Sequence, residues 1–456
     1  MINNIKLRMT GQQRSDLHSE LKSKKNEVII ISCGVGECID MTSRNYSLSI
    51  AKHLSIDMFE NLSVSENDES LIYKITNKIC KTEQIPLILV TNPLIYENDE
   101  PLVELLKISA KNHSHKLIGA YAILTSDNII KGKVLFEDGE VNNIALTVTV
   151  DGDISFNFHD NHTSLELPTY TARNTQTFGK ATTDLLAKLT IGIVGASGTG
   201  SPTIEMLYRL GVGKLVLCDS DHIEDVNLNR IYNSTLEDAA ANRLKVDVIS
   251  AAIKNSGLST EVDTLPYDCI TAKVMNKLSQ CDILFGCVDS VSARDFLNRL
   301  SVYYTIPYFD MGVKLVADGN GGVEYVCGTI HYMKPDGPSL LTRGVFTVDQ
   351  LSAESMKKNN PDEYNKQIKE KYIEGANETS PAVISVNTLV SSFGINDFLA
   401  RIHPYRNNDN NDILATRINL VETLLMHDDQ FGECHVYSKY LGRGNCNPLL
   451  NLVEIV

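Results

Sequence analysis

Nowhere in the 456 residues is there a Cys-x-x-Cys pair, although the chain holds ten cysteines. Zinc knuckles normally use two such pairs, so no zinc is expected. Several of the cysteines lie in apolar, strand-like runs and read as reduced core residues, not bridges. Basic residues are also short, with 42 Lys and Arg against 57 Asp and Glu and a formal charge of −15. That balance gives no general support to a nucleic-acid or anionic-membrane surface. No run approaches the roughly 18 apolar residues of a membrane span. The N-terminus "MINNIKLRMTGQQRSDLHSE" lacks the charged-then-apolar plan of a secretory leader. A cytoplasmic protein is the expectation. No repeat of roughly 20 to 50 residues is visible, which excludes a solenoid.

An apolar content of 43% is that of a globular chain, with room for two or three domains. Residues 1–155 alternate helical and strand-like runs, among them "EVIIISC" (27–33) and "IPLILV" (85–90). Their expected order is helix, strand, variable middle, helix (69–80), strand, helix (100–112), strand (116–124), then further strands. Residues 156–182 are polar and turn-rich and read as a linker. From 183 to 456 the texture is that of a doubly wound, Rossmann-like α/β domain, interrupted by a charged crossover segment near 335–378. Within it, "SAESMKKNNPDEYNKQIKEKYIEG" (352–375) suits either a mobile lid or a solvated helix.

The stretch "IVGASGTGS" (193–201) is a short strand entering a glycine-rich turn. Such a turn before a helix leaves backbone N–H groups facing a phosphate. Gly195, Gly198 and Gly200 keep most of a G-x-G-x-x-G, with Ser197 in the place of the second glycine. Asp219 ends the next strand, "KLVLCD", where a carboxylate accepts hydrogen bonds from ribose hydroxyls. This much suits NAD as well as ATP. Downstream come Asp221, then Asn227 and Arg230 in "NLNR", Lys245 in "NRLKVD" and Asp289 in "FGCVDSVSAR". Singly, Arg230 and Lys245 pass for surface cations, and Asp289 for the N-cap of the next helix. Together, two cations and a carboxylate around one glycine turn suit substitution at a triphosphate better than hydride transfer.

With these motifs and "PAVISVNTLVSS", the span 173–402 resembles the ThiF/MoeB family of ubiquitin-activating-type adenylyltransferases. The resemblance implies that ATP and Mg²⁺ are bound, and that the C-terminal carboxylate of a ubiquitin-like or sulfur-carrier protein attacks the α-phosphate. It implies that Asp219 holds the ribose, that Arg230 and Lys245 neutralise the phosphates, and that Asp289 holds Mg²⁺. Arg173 resembles the arginine that reaches the partner's ATP in dimeric relatives, so a homodimer is implied, and a conjugating enzyme is a further possible partner. Two other readings stay open: adenylation of a short peptide, and a nucleotide-binding scaffold without chemistry.

In the family's cysteine-bearing loop this chain reads "PDGPSLLTRG", with Ser339 and Thr342 in the cysteine places and no cysteine between Cys327 and Cys434. Three accounts compete: the protein stops at the adenylate; Cys434 or Cys446 serves as the thiol; or Ser339 replaces a nucleophile by engineering. The first is preferred. Region 1–155 resembles a JAB/MPN metalloprotease domain in element order. Glu27 matches its glutamate, but Thr91 and Asn92 precede Pro93 where zinc-binding histidines belong, and His113 and His115 have the wrong surroundings. An inert JAB-like domain is the expectation, used to dock the substrate or to dimerise.

Overall fold

A computed structural model describes all residues except 1, 24–27, 40–43, 56–70, 92, 111–115, 126–129, 160–165, 370–381, 429–430, 453–454 and 456. The chain divides into two compact units, the first comprising Met1–Thr163, Val302–Ile306 and Tyr437–Val456, the second the remainder.

In the first unit the strands are β1 (Ile2–Thr10), β2 (Val28–Ile39), β3 (Arg44–Ser55), β4 (Ile85–Val90), β5 (Leu117–Leu124), β6 (Ile130–Phe136), β7 (Val141–Asn143), β8 (Leu146–Val150) and β9 (Ile154–Phe158). They form one sheet in the order β7-β6-β5-β4-β2-β3-β1-β8-β9. The helices are α1 (Gly11–Ser23), α2 (Leu71–Cys80), α3 (Pro93–Glu97) and α4 (Glu100–Ser109). One cluster gathers Ile5, Leu7 and Met9 with Ile31, Leu48 and Leu87; another packs Leu102, Leu105 and Leu106 of α4 against Ile88, Val90 and Tyr121.

The expected order began with a helix, and the structure corrects this: β1 precedes α1 and is parallel to both β3 and β8. Its alternating Ile5, Leu7 and Met9 are a strand signal. The intervening Lys6 and Arg8 masked it, yet they too are buried, and Arg8 donates to the Tyr304 carbonyl at 3.3 Å. The C-terminal residues also fold here and not with the α/β domain expected to run to 456. The Gly34 N–H donates to the Gly442 carbonyl at 3.0 Å, and Asn445 N–H to Val35 at 2.8 Å.

The second unit is doubly wound. Its helices are α5 (Ala172–Leu186), α6 (Gly200–Arg209), α7 (Leu236–Ala240), α8 (Lys245–Asn255), α9 (Ala272–Leu278), α10 (Val291–Tyr304, ending in the first unit), α11 (Val348–Asn359), α12 (Pro361–Lys369) and α13 (Ile384–Ile402). Its strands are β10 (Thr190–Val194), β11 (Lys214–Cys218), β12 (Glu261–Leu265), β13 (Ile283–Gly286), β14 (Tyr308–Ala317), β15 (Val323–Met333), β16 (Ala415–Asn419) and β17 (Leu424–Asp428). The order is β12-β11-β10-β13-β14-β15-β16-β17, parallel from β12 to β14 and antiparallel beyond. Strands covered on both faces need unbroken apolar runs, which "IGIV", "LVLC" and "ILFG" supply. The chain steps from β10 outward to β12, then crosses to β13. The crevice between β10 and β13 is therefore the switch point at which such sheets bind ligands.

Part of the expected linker, 156–182, is helix: α5 starts at Ala172 and bends at Gly179, where φ is +78°. Its polar, threonine-rich first half carries no apolar stripe for composition to reveal. The crossover segment holds α11 and α12, and its remainder, 370–381, lies outside the described residues. No described helix is long and apolar enough to cross a membrane.

Candidate active site

The glycine turn links β10 to α6 at the switch point. Gly195 adopts φ +92°, and a Cβ there would strike the Cys287 carbonyl. Glycine is required on both counts. A Cβ at Gly198 would strike Asn387 Nδ2, and one at Gly200 would strike the Gly195 carbonyl. At Ser197 the backbone carbonyl accepts from Ser201 N–H at 2.8 Å, beginning α6, so the serine is accommodated where a glycine was expected.

Asp219, just beyond β11, accepts from Ala196 N–H at 2.7 Å and from Asp221 N–H at 2.9 Å. Burial raises its pKa above the usual carboxylate value, while the Lys245 ammonium and those two N–H groups pull the other way. Lys245 opens α8. Its side chain is 7% exposed and its ammonium donates to Asp221 Oδ2 at 2.8 Å, whereas the Asp221 side chain is 67% exposed.

Arg230 follows a short 3₁₀ turn, Asp225–Asn227. Buried Asn227 builds that turn: its side chain accepts from Glu224 N–H at 3.3 Å, and its carbonyl accepts from Arg230 N–H at 3.0 Å. The Arg230 side chain then runs past Gly198, its Cδ 3.1 Å from where a Cβ would stand. One guanidinium nitrogen donates to the Val226 carbonyl at 2.7 Å and to Asn229 Oδ1 at 3.0 Å.

Asp289 is exposed in the loop that follows β13, two residues after the Cys287 carbonyl that abuts Gly195. It is not the cap of α10. Ser290 Oγ accepts from Ala293 N–H at 3.3 Å, and Glu354 of α11 accepts from Val291 N–H at 2.9 Å and Ser292 N–H at 2.7 Å. Asp289 is thus left facing solvent beside the turn. Among the described residues no three His, Cys, Asp or Glu side chains group as a metal site. A Mg²⁺ at Asp289 would fit only as that ion is often held, by one carboxylate together with phosphate oxygens.

The structure therefore gathers Asp219, Asp221, Asn227, Arg230, Lys245 and the Asp289 loop around Gly195–Gly200. Arg173 is not among them. Its neighbour Asn174 donates to the Leu210 carbonyl at 3.4 Å, at the far end of α6. Ten residues of helix separate that end from the turn, about 15 Å at the usual rise. Arg173 itself donates to Gln176 Oε1 at 2.9 Å.

The motif "PAVISVNTLVSS" marked the start of α13, but none of its residues was assigned to the site. Asn387 abuts Gly198, Thr388 shares a hydrogen bond with the Tyr232 hydroxyl at 3.0 Å, and Ser391 donates to the Thr199 carbonyl at 2.7 Å. Polar residues spaced at i and i+4 within an otherwise apolar helix were the available signal.

The thiols of Cys287 and Cys269 in the second unit, and of Cys446 in the first, are poor nucleophiles. Desolvation pushes the Cys287 and Cys269 thiols up to about 12, and burial raises that of Cys446. Cys446 donates to the carbonyls of Thr82 and Glu83, and Cys434 is buried. Glu27, Asn92, His113 and His115 lie outside the described residues.

A glycine turn at the switch point, with Asp219 bonded to its backbone and Arg230 passing Gly198, belongs to a doubly wound α/β unit. Residues 171–393, just under half of the chain, match the model of the ThiF family. The ubiquitin-like modifier-activating enzyme 5 of Bombyx mori is 30% identical over 157 residues, 32% of this chain and 37% of that protein. Its Drosophila melanogaster counterpart is 30% identical over 157 residues, 32% of this chain and 36% of that protein. The chain thus spans about a third of the length of the curated relatives it matches. Among solved structures, E. coli MccB with ATP is similar at a TM-score of 0.44 and 18% identity, covering 59% of this chain and 74% of that one.

Proposed function

We propose that the second unit is an ATP-dependent adenylyltransferase acting on a carboxylate. The observation that carries this is the placing of Arg230 against Gly198, and of Lys245 beside the acids Asp219 and Asp221, where half-buried Asp219 is bonded to the backbone of the glycine turn. Asp219 accepts from the ribose, while the turn's N–H groups, Arg230 and Lys245 hold the phosphates. Mg²⁺, when bound at Asp289, supplies further charge neutralisation. The substrate carboxylate oxygen forms a bond to the α-phosphorus, the bond from that phosphorus to the bridging oxygen breaks, and pyrophosphate leaves. The cations lower the barrier by neutralising charge that grows on the departing pyrophosphate. Asn227 positions Arg230 through its turn.

The substrate in this reading is the C-terminus of a ubiquitin-like or sulfur-carrier protein, and the protein works as a homodimer in which Arg173 reaches the partner's nucleotide. Residues 1–155 are read as an inert JAB-like domain that docks the carrier or serves dimerisation. Chemistry stops at the adenylate, since residues 328–433 hold no cysteine. ATP–pyrophosphate exchange, run with a panel of carrier proteins and short peptides, tests the reading. Arg230→Ala and Asp289→Ala are each expected to lower exchange by at least about 100-fold. Exchange unchanged in both variants would overturn it.

A further inference from the structure

α11 holds its place without a buried residue. Besides its packing on α12 and the half-buried Leu351 and Met356, two polar latches tie it down. The Glu354 carboxylate accepts from Val291 N–H at 2.9 Å, from Ser292 N–H at 2.7 Å and from the Ser292 hydroxyl at 2.5 Å, so it caps α10 from another element. One turn later the Lys358 ammonium meets Asp268 at 3.0 Å, three residues past the end of β12. The two anchor points are thus the first turn of α10, which follows β13, and the loop that leaves the carboxyl end of β12.

Sheet order gives this its meaning. Between β12 and β13 lie β11 and β10, whose carboxyl ends carry Asp219 and the glycine turn. The outer pair stand about 14 Å apart at the usual strand spacing, a gap that one helical turn and two extended side chains bridge. A helix fastened at both anchor points therefore crosses above the carboxyl ends of the two inner strands.

We infer that α11 is a lid over the nucleotide cleft, latched shut by Glu354 and Lys358. This rests on the nucleotide reading of the cleft. The Glu354 latch also bears on chemistry, because Val291 and Ser292 are the second and third residues after Asp289. A helix held by an apolar face leaves its seat only by exposing that face to water. One held by a carboxylate on helix N–H groups exchanges those bonds for bonds to water at small net cost. The latch is therefore of the kind that opens to admit ATP and release product.

The test uses the full chain, with hydrogen exchange of residues 348–359 and the release rate of a fluorescent N-methylanthraniloyl-ATP. Glu354→Ala is expected to raise both by at least about fivefold, and Lys358→Ala by less, because its partner is exposed. Glu354→Gln keeps an acceptor oxygen and falls between Glu354→Ala and wild type. Exchange in β10 reports on folding; if Glu354→Ala raises it too, Glu354→Gln and Lys358→Ala decide. Unchanged α11 exchange overturns the latch, and faster α11 exchange with unchanged release overturns the lid. A wild-type protein that binds no nucleotide analogue removes the nucleotide reading and the lid with it, before any variant is made.

Discussion

Lys245 has almost none of its side chain exposed, yet its ammonium meets a carboxylate, Asp221, that sits mostly in solvent. Such a half-exposed pair contributes about 0–1 kcal/mol, so a phosphate can take the ammonium over from Asp221 at little cost. Asp219 is the opposite case: a half-buried acid whose oxygens are held by two backbone N–H groups. Its raised pKa fixes the sign of a pH effect. The protonated form is favoured in the fold, so the burden of ionising Asp219 is absent below the ordinary carboxylate value and appears as pH rises through the raised one. Ribose binding needs the ionised form. ATP affinity is therefore expected to weaken on acidification at a pH above the ordinary carboxylate range. In Asp219→Asn that limb disappears, and binding is weaker by roughly tenfold at neutral pH, the loss of one hydrogen bond to a charged acceptor. Calorimetric titration of both proteins between about pH 4 and 7 measures this, because ionisation of ATP itself is common to both. Equal pH profiles would show that Asp219 does not hold the nucleotide.

Elements were legible where one physical signal dominated. β10, β11 and β13 are unbroken apolar runs because both faces are covered, and the glycine turn announced itself because backbone passes backbone there. α2, α4 and β5 were legible within two or three residues of their ends. Two kinds of element were not. β1 and α5 carry polar residues, buried in one and half-exposed in the other, so their composition imitates a tail and a linker. The C-terminal stretch attaches through backbone hydrogen bonds, which leave no trace in side-chain pattern. The site divides in the same way: residues grouped in motifs were visible, while Asn387 and Glu354 reach it from helices far along the chain. The serine turn after β15 bears on the question of a thioester. Ser339 is 3% exposed, shares a hydrogen bond with the Thr342 hydroxyl at 2.9 Å and accepts from Thr342 N–H at 3.1 Å. It forms a closed local turn, not an offered nucleophile. Ser339→Cys is accordingly expected to give no reductant-sensitive adduct on a gel with carrier protein and ATP. A thiol buried there has its pKa raised and is a poor nucleophile. An adduct in that variant would mean that the turn opens during the reaction.

At the scale of the whole molecule, Arg173 is the residue that its own chain does not explain. It lies beside the end of α6 remote from the glycine turn, bonded only locally, while the rest of the proposed set surrounds that turn. A two-fold dimer resolves this if each arginine serves the opposite nucleotide, since symmetry then makes two equivalent composite sites. The arrangement has a consequence that no arrangement within one chain shares. Arg173→Ala and Arg230→Ala are each expected to be inactive alone. In a heterodimer of the two, the Arg173→Ala subunit keeps its own Arg230 and receives an intact Arg173 from its partner, whereas the other site lacks both. Random pairing makes half the dimers mixed, each with one complete site, so co-expression is expected to restore about a quarter of wild-type exchange. Exchange that stays at the level of the separate variants, in protein shown by sedimentation to be dimeric, would place Arg173 outside the chemistry. Restoration in protein that sediments as a monomer cannot come from shared sites, and would remove the dimer from the mechanism.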